Sequence, residues 1–178
     1  MALVKHIPLA TIAAVFALCF ALEGQGTNRI GTEMKTAYTS VKNNLLKSAE
    51  KMPDENYGFQ PMPGMRSFAQ VLDHAAEAQL HSCGAINGEQ KSANTEGATK
   101  ADVVAALNTA FGECDKAFDS VTDANALEAI KTPRGERTRA GLLAGTIAHD
   151  SEQYGILSVY MRLKSVTPPS SEGPARKK

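Results

Sequence analysis

The stretch SFAQVLDHAAEAQLHSCGAING, residues 67–88, shows most clearly how this chain folds. Ser67 is followed three residues later by Gln70, a capping-box pattern that predicts a helix N-terminus. Gly88 follows Asn87 at the other end, where a left-handed glycine commonly terminates a helix. Between these ends, apolar residues recur at steps of three and four, which places them near one helix face. These residues, together with Gln79 on the same side, are Phe68, Val71, Leu72, Ala75, Cys83 and Ile86.

The same periodicity predicts three further long helices around this one. They extend over Thr32–Met52, Thr99–Ser120 and Thr138–Lys164. A loop rich in proline and glycine follows the first helix, and a polar linker at 89–98 follows the second. A short helix is predicted near Asp123–Ile130, and no strand pattern appears. Four long amphipathic helices in one small domain predict an all-α four-helix bundle.

The composition excludes some broad classes of protein. The chain has 178 residues, with 19 Lys plus Arg against 19 Asp plus Glu. This neutral balance gives no field that would attract a nucleic acid or an anionic membrane surface. Hydrophobic residues make up 43% and aromatic residues 6%, without tryptophan, so the core is expected to be largely aliphatic. We therefore expect no nucleic-acid partner and no polytopic membrane fold.

The N-terminus, residues 1–26, has the character of a separate segment. Lys5 and His6 precede an uncharged run from Ile7 to Leu22 that is shorter than an ordinary membrane span. A basic start, an apolar middle and small residues beyond are typical of a secretory signal peptide. The chain is therefore expected to be exported, to the periplasm, with an uncleaved membrane anchor as the alternative. The working domain is then 27–166, and the proline-rich tail 167–178 is expected to be mobile.

Two cysteines remain after removal of the signal, Cys83 and Cys114, each close to the C-terminal end of its predicted helix. If these helices were antiparallel neighbours, the sulfurs would be offset by roughly 15 Å. A disulfide requires Cα atoms closer than about 7 Å, which parallel helices would allow. The linker 89–98 can extend roughly 33 Å and so can return to the start of a parallel helix. The spacing predicts a bridge between parallel helices in an oxidising compartment, with two buried free thiols as the alternative.

The chain resembles the DinB/YfiT-like bundle proteins in two segments, MPDENYGFQPMPGMRSFAQVLDHAAEAQ at 52–79 and TRAGLLAGTIAHDSEQYGILSVYMRLKSVTPPSS at 138–171. The resemblance extends over roughly Thr32–Ser171, and its most specific part pairs a histidine in the second helix with the late segment HDSEQYG. It implies a four-helix bundle of up-down-down-up order, in which the second and third helices are parallel. This order agrees with the cysteine spacing, which was interpreted without it.

The resemblance also implies a metal site. Three family histidines, one from the second helix and two spaced four apart on the fourth, typically bind a divalent metal. The matching positions here are His74, His149 and Gln153. The last two share one helix face at i, i+4, but an amide oxygen is a weaker ligand for Zn²⁺ or Ni²⁺ than imidazole. Asp73 and Glu77 are candidate acceptors for a histidine N–H, or else solvated carboxylates.

Two functions remain open from the sequence. In the first, the protein binds a divalent metal, Zn or Ni, and has no assigned activity, with a metal-dependent hydrolase or thiol S-transferase as the candidate reactions. The resemblance itself implies metal-dependent thiol S-transfer or isomerisation. Asp150 and Glu152 point away from the face shared by His149 and Gln153, so neither is assigned as a base. In the second, the metal site is degenerate, and the protein is a non-catalytic envelope protein. It would then use the bundle cleft for a small-molecule ligand or a homodimer face for a partner.

Overall fold

The structure is a computed structural model that describes residues 28–89, 91–93 and 99–173. Its main elements are four long helices, and a two-stranded antiparallel hairpin precedes the last of them. We label them α1 (Arg29–Lys51), α2 (Phe68–Asn87), α3 (Lys100–Ser120), β1 (Ala129–Thr132), β2 (Gly135–Thr138) and α4 (Arg139–Leu163). Short 3₁₀ helices lie at Asp54–Asn56 and Pro169–Ser171. The chain is therefore an all-α four-helix bundle, as predicted.

Local sequence signals set the helix ends. Ser67 and Gln70 form the expected capping box at the start of α2, with each side chain bonded to the other residue's backbone N–H. Gly88 ends α2 in the left-handed conformation, with φ of 75°. Thr138 caps α4 by accepting a hydrogen bond from the Gly141 N–H at 3.1 Å. These caps satisfy backbone groups that have no partner within the helix.

The contacts at the helix ends show that α2 and α3 are parallel. Lys100, at the start of α3, donates from Nζ to the carbonyl of Met52 at the end of α1, at 2.8 Å. Phe68, at the start of α2, donates its N–H to the carbonyl of Phe59, in the loop after α1, at 3.0 Å. Both helices thus begin at the end of the bundle where α1 stops.

The other two helices run in the opposite direction. Ile30, at the start of α1, donates its N–H to Asp123 Oδ1, just beyond α3, at 2.9 Å. Lys51, at the end of α1, donates from Nζ to the carbonyl of Thr167, just beyond α4, at 2.9 Å. Because α1 and α4 finish at the same end, the order is up-down-down-up, as predicted.

A disulfide joins Cys83 of α2 to Cys114 of α3, with their Cα atoms 5.0 Å apart. Both residues are fully buried near the C-terminal ends of their helices. The level placement that the sequence predicted for parallel helices is therefore present in the structure.

The core is mostly aliphatic, as the composition suggested. Its fully buried leucines come from all four helices, and they are Leu45, Leu72, Leu107, Leu143 and Leu157. Buried aromatic rings complete the core, and the Tyr38 ring stacks on that of Phe118, with centroids 4.0 Å apart. The Tyr38 hydroxyl donates to Asp115 Oδ1 at 2.8 Å, so its polar end has a partner.

The prediction of a short helix near Asp123–Ile130 was wrong. Residues 123–127 form a turn, and β1 begins at Ala129 and pairs with β2, with Ile130 opposite Arg137. The reason is the sequence Thr132-Pro133-Arg134-Gly135, in which a proline and a glycine favour a turn. Gly135 has φ of 107°, a conformation that glycine adopts readily, and it lets the chain reverse and pair with itself.

The expectation of a mobile tail at 167–178 was wrong in its first part. Pro168 and Pro169 are buried, and the Ser170 backbone N–H donates to the Tyr154 hydroxyl at 2.8 Å. Arg162 also donates from Nη2 to Ser171 Oγ at 2.8 Å. The two prolines, which were expected to mark a mobile tail, instead help to hold a segment that packs on the bundle, because their φ angles are already restricted.

The predicted signal segment 1–26 lies outside the described residues. Among the helices that are described, none combines the length and the apolar character needed to cross a membrane.

Candidate metal centre

His74 and His149 meet between α2 and α4. Each lies near the middle of its helix, and both are half-buried. Their Nε2 atoms are 3.1 Å apart, and their rings meet edge to face with centroids 4.9 Å apart. The structure thus brings together two residues that are 75 positions apart in sequence.

Gln153 completes the group from the next turn of α4. Its side chain is buried, and its amide Nε2 lies 3.5 Å from His149 Nε2. Its amide oxygen, Oε1, is also buried and has no hydrogen-bond partner among the described residues. All three positions named from the sequence therefore converge, and one buried oxygen acceptor there remains unsatisfied.

These three side chains cannot satisfy one another by hydrogen bonding alone. His149 Nε2 carries either one hydrogen or one lone pair, yet it faces both His74 Nε2 and the Gln153 amide. Whichever tautomer and amide orientation is chosen, one of these two neighbours lacks a well-matched partner at that nitrogen. A cation between the three groups would accept a lone pair from each and remove the conflict.

The spacing of the donors is compatible with such a cation. Two ligands of a tetrahedral zinc with Zn–N bonds of 2.0–2.1 Å lie about 3.3–3.4 Å apart. The Nε2 atoms of His74 and His149, 3.1 Å apart, lie close to that value. Across residues 28–89, 91–93 and 99–173, no group of three or more His, Cys, Asp or Glu could hold a metal. A site here therefore depends on the Gln153 amide as its third protein donor.

Asp150 and Gln79 form a buried polar pair directly beneath His149, and the sequence did not reveal it. Both side chains are fully buried, and the Gln79 amide nitrogen donates to the two Asp150 oxygens at 3.3 and 3.2 Å. Asp150 Oδ1 lies 3.8 Å from His149 Nδ1. Asp150 had been set aside because it points away from His149 and Gln153; that direction is what places its carboxylate inside the bundle, beside α2.

Burial has opposite effects on the two ionisable groups next to His149. It raises the pKa of Asp150 above its ordinary value, while His149 and Gln79 act in the opposite direction. It lowers the pKa of His74, and the positive charge of Arg66 and the neighbouring His149 side chain add to that effect. A neutral imidazole is the form that binds a metal, so the environment of His74 favours the ligand form.

The other sequence candidates lie elsewhere. Glu77 accepts a hydrogen bond from the backbone N–H of Ala93 at 2.6 Å, so it holds the linker after α2. Asp73 is half-buried and lines a separate cleft with Glu77 and Arg66. His81 is exposed, two turns beyond His74. The expectation that Glu77 might support a histidine is thus replaced by a structural role.

A cleft of about 480 Å³ opens onto the two histidines. Its walls are α2, α4 and the hairpin, and His74 and His149 both line it. The hairpin that the sequence did not predict forms one side of this cleft.

The fold and this site define a class of protein: a four-helix bundle with a histidine pair and an amide between its second and fourth helices. The model of the DinB superfamily matches residues 37–157, more than half of the chain. The chain belongs to the DinB superfamily.

Solved structures of DinB-like proteins share this fold. One from Bacillus subtilis and one from Bacillus cereus each have a TM-score of 0.61 and 18% identity, and each match covers 76% of this chain and 93% of the other. A member of the DinB family from Exiguobacterium sibiricum has a TM-score of 0.59 and 14% identity, covering 79% and 95%. No curated protein matches the chain.

Proposed function

We propose that this protein binds a divalent metal ion, zinc or nickel, through His74, His149 and Gln153. The observation that carries the proposal lies at His149 Nε2. His74 and Gln153 both face this nitrogen, which can form one strong hydrogen bond, and the buried Gln153 amide oxygen has no partner among the described residues. A metal with two imidazole ligands and one amide ligand keeps at least one coordination position open. Open positions are typical of catalytic metals, whereas structural sites have a full set of protein ligands.

The reaction class that fits best is metal-dependent hydrolysis or thiol S-transfer. Metal bound at this position would supply a Lewis acid that polarises an oxygen or a sulfur atom. His74 and His149 would hold it at the wall of the cleft, where a small molecule can approach. The buried Gln79–Asp150 pair would fix the position of α4 against α2, and with it the distance between the histidines.

We further propose that the protein is exported and works in the periplasm. The bridge between Cys83 and Cys114 supports this, because disulfides persist mainly in oxidising compartments. The signal-like composition of residues 1–26 supports it as well. An exported location favours hydrolysis over transfer to a reduced thiol cofactor, because such cofactors are chiefly intracellular.

The direct test is the metal content of chelator-free exported protein. The wild-type chain is expected to hold close to one equivalent of zinc or nickel after loading and dialysis. His74→Ala and His149→Ala should each lose it. His81→Ala is the matched control, because His81 lies on the same helix as His74 but is exposed and two turns further along it. Equal metal content in His74→Ala and His81→Ala would contradict the proposed ligand set.

Replacing the weak ligand tests the third position separately. Gln153→His restores an imidazole at i+4 from His149 and should raise metal affinity by about tenfold or more, since imidazole is the stronger donor to zinc. Gln153→Leu keeps the volume similar, removes the amide oxygen and should lower the affinity. If neither change alters the titration, Gln153 is not a ligand.

A non-catalytic binding protein is the second candidate. The observation that favours it is the Gln153 amide, which approaches His149 Nε2 at 3.5 Å and can take part in a metal-free polar contact. In that case the wild-type chain should remain metal-free after incubation with zinc and nickel. Gln153→His should then create metal binding that the natural chain lacks.

A further inference from the structure

The cleft beside the histidines has an uneven distribution of charge. Arg134 and Arg137 from the hairpin line it, together with His81 from α2, and none of the described residues that line it carries a carboxylate. The whole chain has equal numbers of basic and acidic residues, so this excess is local. The other large cleft, of about 500 Å³, includes Asp73 and Glu77 on its walls and only one of the two histidines.

Neither cleft arginine forms an ion pair with a carboxylate of residues 28–89, 91–93 or 99–173. Arg139, at the start of α4, has an ion pair with Glu128 at 2.8 Å. Arg137 instead donates from Nη2 to the carbonyl of Gly141 at 3.1 Å, and no carboxylate of the described residues lies within ion-pair distance. The Arg134 guanidinium has neither a hydrogen bond nor an ion pair within that part of the chain. Planar guanidinium groups in this state match a carboxylate or a phosphate in geometry and charge.

A second observation points to a ligand in the same cleft. Gln79 lines it and is fully buried, and its amide oxygen has no hydrogen-bond partner among the described residues. The amide nitrogen faces Asp150, which fixes the oxygen as the unpaired atom. A buried acceptor without a donor destabilises the protein, so this oxygen favours a ligand that donates a hydrogen bond. The donor would be a hydroxyl, amine or thiol of the ligand, or a water molecule bound to the ligand.

We propose that this cleft binds a small organic acid with its carboxylate or phosphate on Arg134 and Arg137, and with a donor group near Gln79 Oε1. The inference rests on the proposed metal site in one respect: the end of the ligand away from the arginines would face His74 and His149. The volume of about 480 Å³ suits a small molecule, since ligand pockets are typically about 300–1,000 Å³. Arg134, in the hairpin turn, and Arg137, in β2, are thus assigned as specificity residues.

The test uses two simple probes, inorganic phosphate and succinate, titrated into the exported chain at constant ionic strength. Binding is followed by the backbone and arginine side-chain NMR signals, first on protein freed of metal and then after zinc loading. Arg134→Gln should weaken the binding of both anions by about five- to tenfold, because a charge-assisted pair is lost. Lys131→Gln is the matched control: it removes the same charge from an exposed hairpin residue that does not line the cleft.

Arg137→Gln is a second variant and should weaken anion binding in the same way. Because it also removes the hydrogen bond to the Gly141 carbonyl, its folding is checked alongside its binding. Equal affinities in Arg134→Gln and Lys131→Gln, or shifts confined to residues outside the cleft, would overturn the proposal. Failure of the metal site would look different: zinc would not bind, yet phosphate would still perturb the Arg134 signal in metal-free protein. Conversely, normal zinc binding with no anion-induced shifts would reject the anion site alone.

Discussion

Replacing both Cys83 and Cys114 by alanine should lower the free energy of unfolding by about 4 kcal/mol. The bridge closes a loop with a sequence separation of 31 residues. The chain-entropy relation then gives a loss of about 12 cal/mol/K, or about 3.7 kcal/mol at 25 °C, in the stability that the cross-link provides. For a domain of this size, each kcal/mol corresponds to roughly 2–4 °C, so Tm should fall by about 7–15 °C.

The assay is urea unfolding of oxidised wild type, wild type reduced by dithiothreitol, and the double alanine variant. Reduction isolates the cross-link, whereas the double variant also loses buried sulfur contacts and should be somewhat less stable than the reduced wild type. Both changes should leave the helical circular dichroism signal intact in the absence of urea. A difference below about 1 kcal/mol between oxidised and reduced wild type would refute the reasoning, because a bridge between buried helices would then constrain the unfolded chain hardly at all.

Three further predictions follow from particular contacts. Asp150→Asn should weaken zinc binding by about tenfold in a competition titration, because it removes the buried negative charge beside His149; an unchanged affinity would exclude that role. Hydrogen bonds from Lys116 and Lys91 lower the pKa of Glu113 to about 2. Above pH 4.5 the ionised Glu113 should therefore contribute about 1–2 kcal/mol to the free energy of unfolding, and this contribution should be lost as the pH falls from 4.5 to 2. Glu113→Gln should flatten that part of the profile of urea stability against pH. Gly84→Ala should destabilise the protein by about 1–3 kcal/mol, since the added Cβ would lie 2.4 Å from the Glu89 carbonyl oxygen. Gly112→Ala should stabilise the protein by about 0.5–1 kcal/mol, because an added Cβ there meets no atom within 4 Å. Equal Tm values for the two variants would contradict this prediction.

The long helices could be predicted because their signals are local. The Ser67–Gln70 capping box and Gly88 mark the two ends of α2, and both have the expected geometry. The parallel direction of α2 and α3 could be predicted from two cysteines, since a bridge between them requires level placement. The full up-down-down-up order was implied by the family resemblance. The hairpin could not be predicted in the same way. Its strands are four residues each and mostly exposed, so they carry no apolar alternation, and the turn glycine gave the only signal.

The candidate site could be predicted in part, for a related reason. His74, His149 and Gln153 were identified because the family resemblance and the i, i+4 spacing both point to them. The buried pair of Gln79 and Asp150 was missed, because an acid that points away from a proposed ligand face is ordinarily a surface residue. Only the packing of α4 against α2 makes that direction an interior one, and this depends on how the two helices are rotated against each other.

Gln79 lies where three helices meet, and this position connects the candidate metal centre to the disulfide. Its side chain bonds Asp150 of α4, while its carbonyl oxygen lies 3.8 Å from the Cys114 sulfur of α3. The bridge fixes α2 to α3, but His74 and His149 lie on α2 and α4, which have no covalent link. The distance between the histidines therefore depends on non-covalent contacts, of which the Gln79–Asp150 pair is the most deeply buried polar one. It follows that reduction of the bridge should lower global stability more than metal affinity, whereas Gln79→Ala should affect the metal site directly.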